Sequence, residues 1–250
     1  MNVILALIRR ELGGYFKSLI GYVVIAAVLF LFGFSFVDML GKLNGIPQDA
    51  PVTEQFYATV YFWVILLITA PMITMRAFAL EKSTGTYESL MTAPVGDWQV
   101  VLAKFGGTLA FFALVWLPLL GCLFIIRHFT GDPATLDPRV TAGTFFGILL
   151  IGSLYMAMGC FASSLTRSQI IAAIFSFLLG VGLFVLSLRS AALSPSESGW
   201  GAVLDYTSVM RHLFDFSRGI IDTRQVVFYL TGTAFFLYLT QRVVESRRWK

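Results

Sequence analysis

Charge is scarce in this chain. Only 13% of its 250 residues are Asp, Glu, Lys or Arg, while 57% are hydrophobic. That is too little polar material to clothe a soluble core, and the composition predicts a membrane protein. Cysteine and histidine are almost missing, at two residues each. Cys122 and Cys160 fall inside apolar runs and read as small buried packing residues. They offer no disulfide framework and no metal-ligand spacing. His128 and His212 fall between apolar runs and read as surface or interface residues. There is no Gly-x-x-x-x-Gly-Lys-Ser/Thr run, which excludes ATP hydrolysis by the usual phosphate loop. No nucleophile–base pair suggests an enzyme. The middles of the apolar runs also lack ionisable groups. Asp38, Arg76, Lys104 and Arg242 lie near run ends, where their heads can reach the interface. This argues against a coupling ion held at mid-membrane. The net charge of +4 is ordinary for a membrane protein and does not call for nucleic acid.

What the chain has is apolar length. A bilayer core takes about 20 helical residues to cross. Six runs meet that need: about Leu19–Val37, Tyr57–Leu80, Trp98–Ile126, Val140–Ala162, Ser168–Leu188 and Thr223–Val244. The expectation is an all-α integral membrane protein, with residues 1–250 as a single transmembrane domain. Cap signals punctuate it: Thr53, Asp97, Asp137 before Pro138, Thr166 with Gln169, and Asp222 with Gln225. Pro71 and Pro118 fall inside spans and predict kinks. Residues 38–57 read as a loop. In residues 1–17, Ile4, Leu5, Ile8, Leu12 and Tyr15 share a helical stripe, with Arg9, Arg10 and Lys17 off it. This predicts an interfacial helix.

The longest loop is 189–225. Tyr206, Val209, Met210, Leu213 and Phe214 recur there at helical spacing, and Arg211, Asp215 and Arg218 share another face. Gly219 can end that helix, and the segment reads as a helical hairpin dipping into the membrane. Small residues at Gly143 and Gly147, Ser153 and Ala157, and Gly180-Val181-Gly182 suit close helix contacts, either within one chain or between two copies. Positive charge sets the orientation. Arg9, Arg10, Lys17, Arg76, Lys82, Lys104, Arg167 and the basic tail gather on one side, which predicts both termini and the 76–95 loop in the cytoplasm.

The 76–95 loop, RAFALEKSTGTYESLMTAPV, is unusually polar for a link between spans. Gly85 can stop a helix, Thr86 can cap the next, and Pro94 ends it. A short surface helix held between two rods could pass a push from a soluble partner into the membrane.

These residues also resemble a known family. Met75-Arg76-Ala77-Phe78-Ala79, Glu81-Lys82-Ser83-Thr84-Gly85-Thr86-Tyr87-Glu88-Ser89-Leu90 and Thr92-Ala93-Pro94 resemble the loop between spans two and three of ABC-2 type permeases. Asp97-Trp98-Gln99-Val100, Phe161-Ala162-Ser163-Ser164-Leu165-Thr166, Ser217-Arg218-Gly219-Ile220-Ile221-Asp222 and Ser246-Arg247-Arg248-Trp249 resemble the gliding-motility-type subfamily.

The resemblance implies the membrane subunit of an ATP-driven exporter in the bacterial inner membrane. This chain would bind no cofactor. ATP and Mg would sit on a partner, an ABC ATP-binding subunit present in two copies. A second copy of this permease, membrane lipid and an auxiliary subunit with a large outer-side domain are the other implied partners. Residues 81–96 become a cytoplasmic coupling loop. Its implied contact residues are Arg76, Glu81, Lys82, Gly85, Thr86, Glu88, Leu90, Met91 and Pro94, braced by Arg9, Arg10 and Glu11. Arg211, Asp215, Arg218 and Asp222 would form an external gate or docking surface. The alternative expectation is mechanical: ATP hydrolysis inside moves an outer partner and nothing crosses.

Overall fold

The computed structural model describes residues 3–43, 54, 56–57, 59–88, 95–130, 137–192 and 206–248. In chain order the helices are α1 (Val3–Phe16), α2 (Leu19–Leu43), α3 (Val60–Thr74), α4 (Ala79–Thr84), α5 (Asp97–Trp116), α6 (Pro118–Thr130), α7 (Pro138–Leu165), α8 (Gln169–Ala192), α9 (Val209–Ser217) and α10 (Thr223–Arg248). Strand is absent from the described residues.

Among the described residues, five stretches are long and apolar enough to cross a membrane: Leu19–Gly41, Val60–Thr84, Asp97–Phe129, Pro138–Leu165 and Gln169–Arg189. The expected sixth, α10, is a 26-residue helix. Thr231, Thr233, Thr240 and Gln241 make it less apolar than the other five. It lies beside α7 and runs the same way. Gly232 meets Leu154, Ser153 bonds Thr233 at 3.1 Å, and Phe236 touches Phe161 farther along.

The centre of the bundle is α7. Its apolar stretch is 78% buried, against 28% for α2 and 22% for α8. The helices around α7 approach it where side chains are smallest. A Cβ at Gly143 would lie 2.9 Å from the Phe216 carbonyl oxygen, and one at Gly147 2.8 Å from the Phe216 ring. A Cβ at Gly152 would collide with Phe112 of α5, and one at Gly159 with Thr74 of α3. The small-residue motif of α7 is therefore used for packing inside one chain. Gly180 likewise faces Tyr155, whose hydroxyl donates to the Gly180 carbonyl at 3.2 Å.

Element ends depart from expectation where tertiary contacts override local signals. α2 continues past Asp38 to Leu43, because Met39 extends the buried stripe of Phe32 and Ser35. α3 begins at Val60 after Thr59; Thr53 lies outside the described residues. Gly96, not Asp97, is the N-cap of α5, and its amide donates to Gln99 Oε1 at 3.1 Å. Leu117, before Pro118, separates α5 from α6. Asp137 caps α7 as expected, accepting from the Arg139 amide at 2.8 Å. Thr166 Oγ1 accepts from the Ser168 amide at 3.0 Å, rather than boxing with Gln169. α8 runs past Leu188 to Ala192; its Ser187 hydroxyl accepts the Met210 amide of α9 at 2.9 Å.

In α9 the buried face is Val209, His212, Leu213 and Phe216, rotated from the expected stripe. His212 is only 4% exposed, with Nδ1 3.3 Å from the Tyr229 hydroxyl, so it is a core residue. Of the expected hairpin, residues 189–192 and 206–225 are described, and α9 lies among them. Cys160 is buried as expected, whereas Cys122 is half-buried.

Candidate coupling site

At Thr74 the α3 rod breaks. Residues 75–78 form a turn, and α4 restarts at Ala79. Breaking a helix exposes amides and carbonyls that need partners inside a bundle. Ser163, near the end of α7, supplies three of them. Its hydroxyl accepts the amides of Phe78 and Ala79, both at 3.1 Å, and donates to the Met75 carbonyl at 3.1 Å. Across the turn, Ala77 N bonds Thr74 O at 3.0 Å, which leaves the Ile73 carbonyl open. The Tyr15 hydroxyl of α1 donates to it at 2.8 Å. Arg76 is half-buried and donates to the Ser18 hydroxyl at the α1–α2 corner. The break is thus fixed by α7 on one side and α1 on the other.

The next turn carries charge. Lys82 is buried, donates to the Ser164 carbonyl at the C-terminal end of α7, and lies 5.3 Å from the Tyr87 ring centre. A cation there suits the negative end of the helix dipole. Glu81 faces the other way, toward α5. Lys104 of α5 is 2% exposed, and its ammonium sits 2.9 Å from Glu81 Oε2, off the hydrogen-bonding axis. The same ammonium donates to Glu11 Oε1 of α1 at 3.4 Å. Arg10 closes the group, 2.8 Å from Glu11 and 3.4 Å from Glu81. The hydrogen bond that Arg10 donates to the Glu11 carboxylate raises the Arg10 pKa above its ordinary value. Lys104 therefore does not reach out to the interface as its place near a span end suggested.

Beyond this base the segment turns outward. Gly85 has φ +76°, the left-handed region open to glycine, and ends α4 there. Thr84, Gly85, Thr86 and Glu88 are exposed, while Tyr87 is buried. Thr86 lies within the helical residues that follow Gly85, its hydroxyl 2.9 Å from that of Thr84. Leu90, Met91 and Pro94 lie outside the described residues. An open cleft of about 750 Å³ adjoins the tip, lined by Lys82, Gly85, Glu88, Leu165, Arg167 and Val243 among others.

The structure thus divides the expected contact residues. Arg76, Glu81 and Lys82 are engaged within the chain, and Gly85, Thr86 and Glu88 face outward. Of the bracing set, Arg9 and Arg10 are exposed and Glu11 is half-buried. α1 packs on α5, but Leu5, expected on its apolar stripe, is 62% exposed. Sequence reasoning missed Ser163, Ser164, Tyr15 and the pair Gly106-Gly107. The serines stood in a quoted motif without a stated role, and adjacency alone did not mark the glycines, because Gly13-Gly14 of α1 meets nothing within 4 Å.

The opposite end is held by Arg218, which grips Glu54 with Nε at 2.8 Å and Nη2 at 2.7 Å. Asp215 accepts from the Gln225 amide group at 2.6 Å, and Asp222 caps α10 through the Arg224 amide at 2.8 Å. Gln225 therefore turns to Asp215 instead of completing a capping box. Arg211 is exposed.

A search of curated proteins finds no match. Residues 42–217, well over half the chain, match the family model described as ABC-2 family transporter protein. With its apolar helices, the chain therefore belongs to the ABC-2 transporter family, as a multi-pass, non-catalytic permease subunit of the kind that works with an ATP-binding subunit.

Proposed function

We propose that this permease serves an exporter of the bacterial inner membrane and is driven through residues 85–88. The supporting observation is the division within the loop: its base is bonded into α1, α5 and α7, and its tip is exposed beside an open cleft. A partner pushing on such a tip moves helices instead of bending a free loop. Glu88 supplies a polar contact, and Leu90 and Met91 supply apolar ones, with Pro94 ending the segment. Two ATP-binding subunits carrying ATP and Mg pair with two permease copies. α10 is the sixth span, which returns the chain to the cytoplasm and puts both termini there. Arg211 and the exposed Ile220 and Ile221 face an outer-side auxiliary subunit. Membership in the gliding-motility-type subfamily rests on the motifs quoted above.

The test is reconstitution with the co-purified ATP-binding subunit. Glu88→Arg is expected to lower permease-stimulated ATPase activity about tenfold, because like charges facing across an interface are costly. Normal stimulation by that variant removes Glu88 from the contact. Cargo movement in sealed vesicles separates export from purely mechanical transmission.

A further inference from the structure

The four charges at the loop base invite a question that docking does not answer. Lys104 is almost fully buried, and an ammonium is expensive to bury. A methionine would fill similar apolar volume without that cost. The charge sits where three separate pieces meet: α1 brings Arg10 and Glu11, α4 brings Glu81, and α5 brings Lys104. The two cations and two carboxylates balance. Beside them α1 is seated in close contact. A Cβ at Gly106 would lie 2.8 Å from Ile8, and one at Gly107 2.6 Å from Glu11 Cβ. α1 and α5 meet there too closely to admit a side chain on α5. Apolar contacts alone could re-pack under load, whereas separating paired charges away from water is unfavourable.

We propose that Lys104, with Glu81, Glu11 and Arg10, is the joint that makes α1, α4 and α5 move as one body when the tip is pushed. This rests on the reading that an ATP-binding subunit engages residues 85–88. Glu81 and Lys104 are positioning residues, and neither touches nucleotide or cargo. This gives Glu81 an internal role beside the expected contact with the ATPase.

The test places nitroxide labels at Leu5 on α1 and Ser83 on α4, both exposed, in the full chain in lipid nanodiscs. The parent and Lys104→Arg should each give one narrow distance distribution, and Lys104→Met a broad one. Should Lys104→Met fail to fold, Glu11→Gln takes its place and should also broaden the distribution. In the assembled complex, Lys104→Met should retain the ATP-binding subunit on co-purification yet lose about tenfold of the permease-dependent ATPase response, with Lys104→Arg restoring it. A narrow distribution in Lys104→Met, or a parental ATPase response, overturns the joint. If the parent chain captures no ATP-binding subunit, the functional reading fails, and the label distance still decides whether Lys104 of α5 holds α1 and α4 together.

Discussion

The two ends of the bundle are each closed by an ion pair between distant parts of the chain, but the pairs differ in kind. At the coupling end Lys104 is buried between two carboxylates and cannot leave without stranding charge. At the opposite end Arg218 grips Glu54 with good bidentate geometry, yet its side chain is 57% exposed. The contrast lies in the cation: Arg218 stands in water, whereas Glu54, its side chain 14% exposed, is as covered as Glu11 or Glu81. The difference teaches that burying the cation, as with Lys104, ties three helices to one charge, while a cation left in water, as with Arg218, ties only one loop to another.

Breaking the buried group should cost most. Lys104→Met leaves Glu81 and Glu11 with Arg10 alone, and the loss should fall toward the low end of about 3–5 kcal/mol, since both carboxylates retain some water. Thermal unfolding in detergent measures it, and a midpoint like that of the parent would make the burial incidental. Next comes Ser163→Ala. It strands the Phe78 and Ala79 amides and the Met75 carbonyl at the break in α3, for about 1–3 kcal/mol. Hydrogen exchange at those two amides should rise, with little change elsewhere in α7.

Glu54→Gln should do least, within the scatter of surface pairs. Its signature is pH. The hydrogen bond from Arg218, aided by its charge, lowers the Glu54 pKa against the opposing effect of partial burial. A lowered carboxylate pKa means the contribution is complete above the ordinary carboxylate range. It is lost as pH falls through the lowered value. The distance between labels beside residues 54 and 218 should therefore lengthen only in acid, and Glu54→Gln should remove that dependence. A pH-independent distance in the parent would erase the contrast between the two ends.

Much of this was legible in the sequence because it is local. Of the six apolar runs read as spans, five are long and apolar enough to cross a membrane; Asp137-Pro138 marked the start of α7, and Gly85 and Gly219 marked two helix ends, both now seen at φ +76°. The loop between spans two and three stood out by its polarity and its motif. What was not legible depends on partners far along the chain. Glu81 looked like a solvent-facing contact because Glu11 and Lys104 are invisible from its neighbours. Lys82 finds Ser164, and Ser163 has no local sign that it will staple a break almost ninety positions earlier. His212 seemed exposed because loops usually are, but α9 lays it against Tyr229. Asp97 lost its expected cap role when Gly96 paired with Gln99.

The glycines of this protein have two fates. Around Gly13, Gly14, Gly33 and Gly41 a methyl group would find nothing within 4 Å, whereas at Gly143, Gly147, Gly152 and Gly159 it would strike α9, α5 or α3. Random mutation should therefore pass freely at those four peripheral glycines and stop along the ridge of the central rod, as it should at Gly21 and at Gly106-Gly107 beneath α1. Anyone redesigning this permease for another cargo has the rim to work with and must leave that ridge bare.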